Sequence, residues 1–416
     1  MARVPELHGG ALKRSEENLQ ITGPADRFIL KPVLLGISIT TVSTIPVFLT
    51  GALGVQIRRD LHLNAAELGG AVAIFFAAAA ITSISSGKLA QRSGFEVILR
   101  VCVLLSVVAL GGMGFLANSY LLVLAFLAIG GIANGAAQPA VNLFLSKVVP
   151  VSRQGFAFGI KQAAIPVSTF LSGLAVPFIA LTIGWHYAYA IIAPVGIILF
   201  FMIPKAPRET QRASSSANGK QKIYIAPLVV LAIAMGLGSG AANALGAFLV
   251  SSSVHAGWAP GAAGFLVVLG SAIGISSRLL NGYLADRRIG RHLAVTAWMV
   301  GTGGIGYLLL TLGYAWLVVP ATIISYGAGW GWNGLFNFAV VWSYPRAAGH
   351  ATGITQSGAY FGSVLGPLVF GFIVDHSGYS LAWSSAALEA FLAGTAMVVA
   401  RKMMIAGSAR LQSGTS

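Results

Sequence analysis

Apolar runs of 18 or more residues recur through this chain of 416 residues, separated by short polar turns. A run of that length reads as a helix that crosses a bilayer, where no water is present to satisfy an exposed backbone. The runs fall near 33–57, 65–86, 97–117, 120–145, 155–180, 185–203, 224–250, 261–281, 293–313, 315–341, 351–374 and 380–400. That predicts twelve helices, an even number, with both termini on one side of the membrane. Only 9% of residues are charged, against roughly 25% in soluble domains, and the mean hydropathy is +0.80. The 52 glycines suit helices that approach closely in lipid. The single cysteine, Cys102, excludes an intramolecular disulfide and a cysteine metal cluster. The first 27 residues have charges but no apolar core, so the first span is expected to direct insertion without a cleavable signal peptide.

A net charge of +15 is compatible with nucleic-acid binding, but its distribution points elsewhere. Of the 26 Lys and Arg, 24 fall in the tails, the even-numbered loops and the adjacent helix ends. Only Arg58 and Arg59 lie on the opposite side. By the positive-inside rule both termini are expected in the cytoplasm, and the basicity sets topology. No nucleic-acid-binding motif accompanies it.

The stretch "PKAPRETQRASSSANGKQK" (204–222) is polar, basic and Ser-rich, and reads as a flexible linker between two halves. The expected organisation is a tail at 1–32, a six-helix bundle at 33–203, a linker at 204–223, a second bundle at 224–400 and a tail at 401–416. At an offset of 195, Gly51 meets Gly246, Gly69 meets Gly264 and Gly87 meets Gly282. "GKLAQR" (87–92) then lies over "GYLADR" (282–287), Asn142 over Asn337 and Pro150 over Pro345. One deletion later, "GIKQ" (159–162) lies over "GITQ" (353–356). A register held from the first to the fifth helix of each half indicates an internal duplication.

Two homologous six-helix halves joined by a basic linker resemble the major facilitator superfamily over essentially the whole chain. The resemblance implies an all-α membrane protein with twelve transmembrane helices in two pseudo-symmetric bundles. Its most specific carrier is the loop between the second and third helices of each half, where the family has Gly-x-x-x-Asp-Arg-x-Gly-Arg. The second copy keeps Gly282, Asp286 and Arg287 but has Gly290 one position late. The first keeps Gly87 and Arg92 and replaces the acid with Gln91. In the family the acid is a conformational latch against a neighbouring helix N-terminus, where partial positive charge favours it. The resemblance implies that latch at Asp286 and a weaker, uncharged one at Gln91.

Charges inside spans are costly and therefore informative. Glu389, in helix 12, is the only carboxylate near the middle of a span. Helix 12 supports the bundle from outside in this superfamily, so the expectation for Glu389 is a protonated or locally hydrogen-bonded side chain. Arg278 in helix 8 lies eight residues before Asp286, about 12 Å deep at about 1.5 Å per residue. Lys161 in helix 5 lies eight residues past Arg153. The superfamily fold sets helices 5 and 8 face to face, so both bases can reach one central cavity. Two cations without a buried acid call for an anion, which arginine can hold bidentately. The alternative is that either base snorkels or bonds helix carbonyls. Polar groups that fit such a cavity are Thr41, Gln138, Asn243, Trp330, Asn333, Gln356 and Tyr360. Asn142 and Asn337 read as polar glue between helices.

A narrower resemblance, to the monocarboxylate and oxalate–formate carrier groups, rests on one arginine four residues before the loop glycine, as Arg278 stands before Gly282. It implies a secondary transporter that moves a small mono- or dicarboxylate by alternating access, through proton symport or anion exchange. The competing expectation is a proton-coupled exporter of amphipathic drugs. Drug exporters of the superfamily carry a Gly-Pro pair in helix 5, whereas here Gly366-Pro367 stands in helix 11. The seven His form no compact metal motif with Cys102, and no Walker loop is present, so neither enzyme activity, cofactor, metal nor ATP drive is expected. The expected setting is a prokaryotic inner membrane, with the protein working as a monomer.

Overall fold

The computed structural model describes residues 24–150, 157, 160–205, 225–287, 290–344 and 348–413, and contains no strand among them. In the first half α1 is Pro24–Ala52, extended by a short helix Gly54–Leu61. It is followed by α2 (Ala65–Ser93), α3 (Phe95–Phe115) and α4 (Tyr120–Val148). α5 is Ala164–Ala175 and continues as a π-helical turn, Val176–Ala180. α6 comprises Trp185–Ala190 and Ala193–Met202. In the second half α7 is Ile225–His255, α8 is Pro260–Arg287 and α9 is His292–Thr311. α10 comes in two pieces, Ala315–Gly327 and Asn333–Ser343. A continuous helical stretch, Ala348–Ser413, bends at Gly378 (φ 80°) into α11 (348–377) and α12 (379–413). Among the described residues, nine helical stretches are long and apolar enough to cross a membrane, and the last of them holds both α11 and α12. The shorter apolar pieces of α5 and α10 complete the twelve.

Local chemistry explains several boundaries. α2 starts in a reciprocal capping box: Glu67 N–H donates to Asn64 Oδ1 at 2.8 Å and Asn64 N–H to Glu67 Oε2 at 2.7 Å. The gap in α6 precedes Pro194, which cannot donate and restricts the residue before it. The sequence predicts one continuous helix over 315–341, whereas α10 is open over 328–332. Gly327, Gly329 and Gly331 crowd that stretch and weaken helix formation there. The freed carbonyls find donors: Ser277 Oγ bonds Gly327 O, and Trp332 Nε1 bonds Gly329 O at 2.9 Å. Close approach adds a second reason, since a Cβ on Gly303 of α9 would collide with Gly329 Cα.

Glycines govern how the helices meet. Gly358, Gly362 and Gly366, one per turn, lay α11 directly on Ala232, Gly236 and Gly240 of α7. Between the halves, a Cβ on Gly51 of α1 would stand 2.5 Å from Gly246 O of α7, so the pair related by the duplication also touches. Gly69 of α2 lies on Pro367 of α11, and its counterpart Gly264 of α8 lies on Gly173 of α5. These closest approaches occupy the end where α1 finishes and α2 begins. At the other end, which carries the basic loops, a Cβ on Gly282, Gly334 or Gly353 would meet nothing within 4 Å.

Candidate functional site

The candidate site is built where α5, α8 and α10 meet. Arg278 projects from α8, and its guanidinium reaches both halves. Nη1 donates to Gln162 O, just before α5, and Nη2 to Trp330 O in the opening of α10, each at 3.3 Å. Its Nε is buried and has no partner. One turn and more away, Thr169 of α5 and Ser271 of α8 bond hydroxyl to hydroxyl at 2.7 Å across the same interface. Arg278, Ser271, Pro166, Thr169, Tyr326 and Trp330 line one small pocket. Trp330 is itself buried, tilted against Phe48 of α1 and Tyr326 of α10 with ring centroids at 5.7 and 5.1 Å.

Lys161 is 3% exposed and donates to Gln138 Oε1 of α4. Neither Lys161 nor Arg278 meets a carboxylate among the described residues. Three of the other acids are engaged elsewhere. Glu96 pairs with Arg100 at 2.9 Å, Asp60 accepts from Trp185 Nε1 at 3.0 Å, and Asp375 accepts from the first amides of α2. One buried and one half-buried cation therefore stand with only carbonyl and amide oxygens as their hydrogen-bond partners among the described residues. Such oxygens satisfy N–H donors without neutralising charge, so an anion has a favourable place there.

The structure brings some of the expected cavity residues together and separates others. Gln138 with Lys161, and Arg278 with Trp330, form two bonded pairs joined through the neighbours Lys161 and Gln162. The Thr41 hydroxyl is buried and unpartnered, while its carbonyl takes a bond from Ser168 of α5 at 3.3 Å. The other hydroxyls of that run fold back: Thr40 onto Gly36 O, Ser43 and Thr44 onto Thr40 O. Asn134 then donates to Ser43 and Thr44, tying α4 to α1. Asn243 is spent on Ser239 O and Ser363 Oγ, inside the second half. Tyr360 reaches Ser83 of α2. Asn333 is half-buried and Gln356 exposed. Of the latch residues, Gly87, Gln91, Arg92, Asp286 and Arg287 lie outside the residues whose side chains are described, and Gly282 is exposed.

Sequence reasoning missed Tyr326, Ser271 and Thr169, which look like ordinary span residues until the halves are docked. It also passed over Asp375. Its Oδ1 and Oδ2 accept from Ala65 N at 2.8 Å and Ala66 N at 2.6 Å, which joins α11 of one half to α2 of the other. A larger cavity, about 330 Å³, is remote from these bases. It lies at the opposite end, among His255, Tyr314, Tyr379 and Trp383.

The Major Facilitator Superfamily profile matches residues 34–340. The chain belongs to that superfamily. Its relatives within the superfamily include the quinolone resistance protein NorA of Staphylococcus aureus, 23% identical over 358 residues, spanning 82% of this chain and 87% of NorA. The niacin transporter NiaP of Acinetobacter baylyi is 28% identical over 149 residues, 36% of this chain and 34% of NiaP. Among solved structures, a bacterial homologue of the human lysosomal transporter Spinster, inward-facing and occupied, matches with a TM-score of 0.70. That match has 16% identity and covers 93% of this chain and 97% of the other. The chain is a multi-pass membrane transporter of this superfamily and not an enzyme.

Proposed function

We propose that this transporter moves a small organic anion, a mono- or dicarboxylate, by alternating access of its two halves. The observation that carries the reading is Arg278. It is a guanidinium on the interface between the halves, bonded to each half by one carbonyl and meeting no carboxylate among the described residues. A substrate carboxylate at that point would exchange two long carbonyl contacts for charge-assisted, bidentate ones. Because the arginine touches both α5 and α10, such a ligand would bear on the contact between the halves, as coupling of binding to rocking requires. Lys161 supplies a second positive charge one residue from Gln162. The niacin transporter's name adds support, since niacin is a carboxylic acid.

In this reading the basic end, with both termini, faces the cytoplasm. The tails and linker flank bundles at 33–203 and 224–400, and the carrier acts as a monomer in a bacterial plasma membrane. The Asp286 and Gln91 loops would latch the cytoplasmic end in the opposite state. Coupling is by proton symport or by exchange of one anion for another.

A second reading, export of amphipathic drugs, is favoured by the likeness to the quinolone resistance protein over most of both chains. Trp330, Phe48 and Tyr326 give it an aromatic surface. The two readings separate in a thermal-stabilisation screen of the purified protein with nicotinate, oxalate, lactate and the lipophilic cation ethidium. A ligand at a hundredfold excess over its Kd raises stability by about 2.7 kcal/mol. Stabilisation by a carboxylate and not by ethidium supports the anion carrier. Stabilisation by ethidium alone replaces it with the exporter.

A further inference from the structure

Glu389 of α12 is a titratable group that the anion site does not use. It is half-buried, and among the described residues it forms no ion pair and no hydrogen bond. Its carboxylate does not face away from the bundle. Oε2 lies 3.1 Å from where a Cβ on Gly240 would stand, at the crossing of α7 and α11 where Gly362 and Gly366 also converge. A side chain larger than hydrogen on Gly240 would fill that place, so the glycine seam leaves room for the acid as well as for close helix contact.

The groups facing Glu389 can be named helix by helix. α7 and α11 present glycine backbone. On α12 itself, Ser385 is one turn back and spends its hydroxyl on Ala382 O. α9 presents Tyr307, within electrostatic reach of Glu389 on one side and of Tyr326 on the other. The hydroxyls of Tyr307 and Tyr326 are both buried and have no protein partner, and so is that of Ser325. Tyr326 lines the pocket that contains Arg278. Tyr307 is held in place by stacking on Trp383, with rings 9° from parallel, and its hydroxyl stands beside Gly329 in the opening of α10. An unpaired carboxylate and three unpaired hydroxyls thus stand in the second half, with Tyr307 in electrostatic reach of both Glu389 and Tyr326. Each costs stability if it does nothing.

We propose that Glu389 is the proton-binding site of this carrier, connected to the Arg278 pocket through Tyr307 and Tyr326. One proton adds to the carboxylate to give the acid, and no other bond forms or breaks. The neutral acid suits the closed α7–α11 crossing, whereas the anion would draw its field toward the pocket and Arg278. The connection to substrate rests on the anion-carrier reading; the proton site does not.

The test is a pH titration by infrared difference spectroscopy of the purified full-length protein, with oxalate as the anionic probe. As pH falls, the parent gains a carbonyl band from a protonated carboxylic acid. That band is lost in Glu389→Gln and kept in Asp375→Asn, and Tyr307→Phe shifts its midpoint. Oxalate moves the midpoint in the parent and moves it less in Tyr326→Phe. A band that persists in Glu389→Gln overturns the proton site. If oxalate stabilises the parent thermally yet leaves the midpoint in place, the connection to the pocket is overturned. If neither oxalate nor the other carboxylates stabilise the parent, the anion-carrier reading and the connection to the pocket both fail, while the Glu389→Gln spectrum still decides the proton site. Should Glu389→Gln not fold, Glu389→Asp must retain the band with a shifted midpoint, and an unshifted band overturns the assignment.

Discussion

The carboxylate of Asp375 closes on Ala65 across the two halves of the molecule, accepting its amide N–H at 2.8 Å and that of Ala66 at 2.6 Å. It thereby caps α2 from outside that helix. Within the capping box Asn64 Oδ1 accepts from Glu67 N–H and Glu67 from Asn64 N–H, so Asp375 takes the two amides between them that the box leaves free. Gly371 lies on Ala65 O beside this contact. The arrangement repeats, at the end away from the basic loops, the physical device that the family resemblance assigns to Asp286.

Removing that acid is expected to loosen the closed end. Asp375→Ala forfeits a charge-assisted cap, worth on the order of 1 kcal/mol at an exposed helix start, or roughly a fivefold shift toward the open form. Ser251 is buried in the same seam beside Gly54, so a cysteine placed there in a Cys102→Ala background reports opening. Faster modification of that cysteine in Asp375→Ala is the expected result, and an unchanged rate would show that the glycine contacts hold the end alone.

The Gly51–Gly246 crossing makes a steric prediction. A Cβ on Gly51 would stand 2.5 Å from Gly246 O and 2.7 Å from Ala247 Cα, both backbone atoms that cannot step aside. Gly51→Ala should therefore lower thermal stability in detergent by about 1–3 kcal/mol, the usual cost of overpacking. Gly111, within α3, has nothing within 4 Å of the same added carbon, so Gly111→Ala is the matched control and should be neutral or slightly stabilising.

The Lys161–Gln138 bond makes an energetic one. Gln138→Leu leaves a buried ammonium without its acceptor and should destabilise by about 1–3 kcal/mol or more, since the removed partner satisfied a charge. Adding Lys161→Met should recover most of that loss, because an apolar pair needs no acceptor. Equal stability of the single and double variants would mean that Lys161 has another way to be satisfied.

Much of the architecture is legible in the sequence, because lipid imposes a strict rule on backbone and a run of apolar residues has few ways to obey it. The duplication is readable for a related reason: Gly51 and Gly246 are the same position on both sides of the seam, and close packing there tolerates nothing larger. The opening of α10 was not readable. Gly-Ala-Gly-Trp-Gly-Trp-Asn looks like a glycine-rich helix, and it opens because donors from α8 reach its carbonyls once the helices of the second half pack. Arg278 and Lys161 stand out as buried bases in any reading. Their actual partners are backbone and amide oxygens chosen by tertiary contacts, and Tyr307 and Tyr326 gain meaning only from a three-dimensional alignment with Glu389.

The central claim is that Arg278 holds the substrate's carboxylate, and the most direct measurement is a binding isotherm. The carboxylate that best stabilises the purified parent should be titrated into parent and Arg278→Gln, with folding of both checked by thermal melting. Loss of charge-assisted bonds worth about 1.5–3 kcal/mol predicts a Kd raised by about tenfold or more in the variant. An equal Kd in the two proteins would contradict the account and leave Arg278 as a brace between α5 and α10.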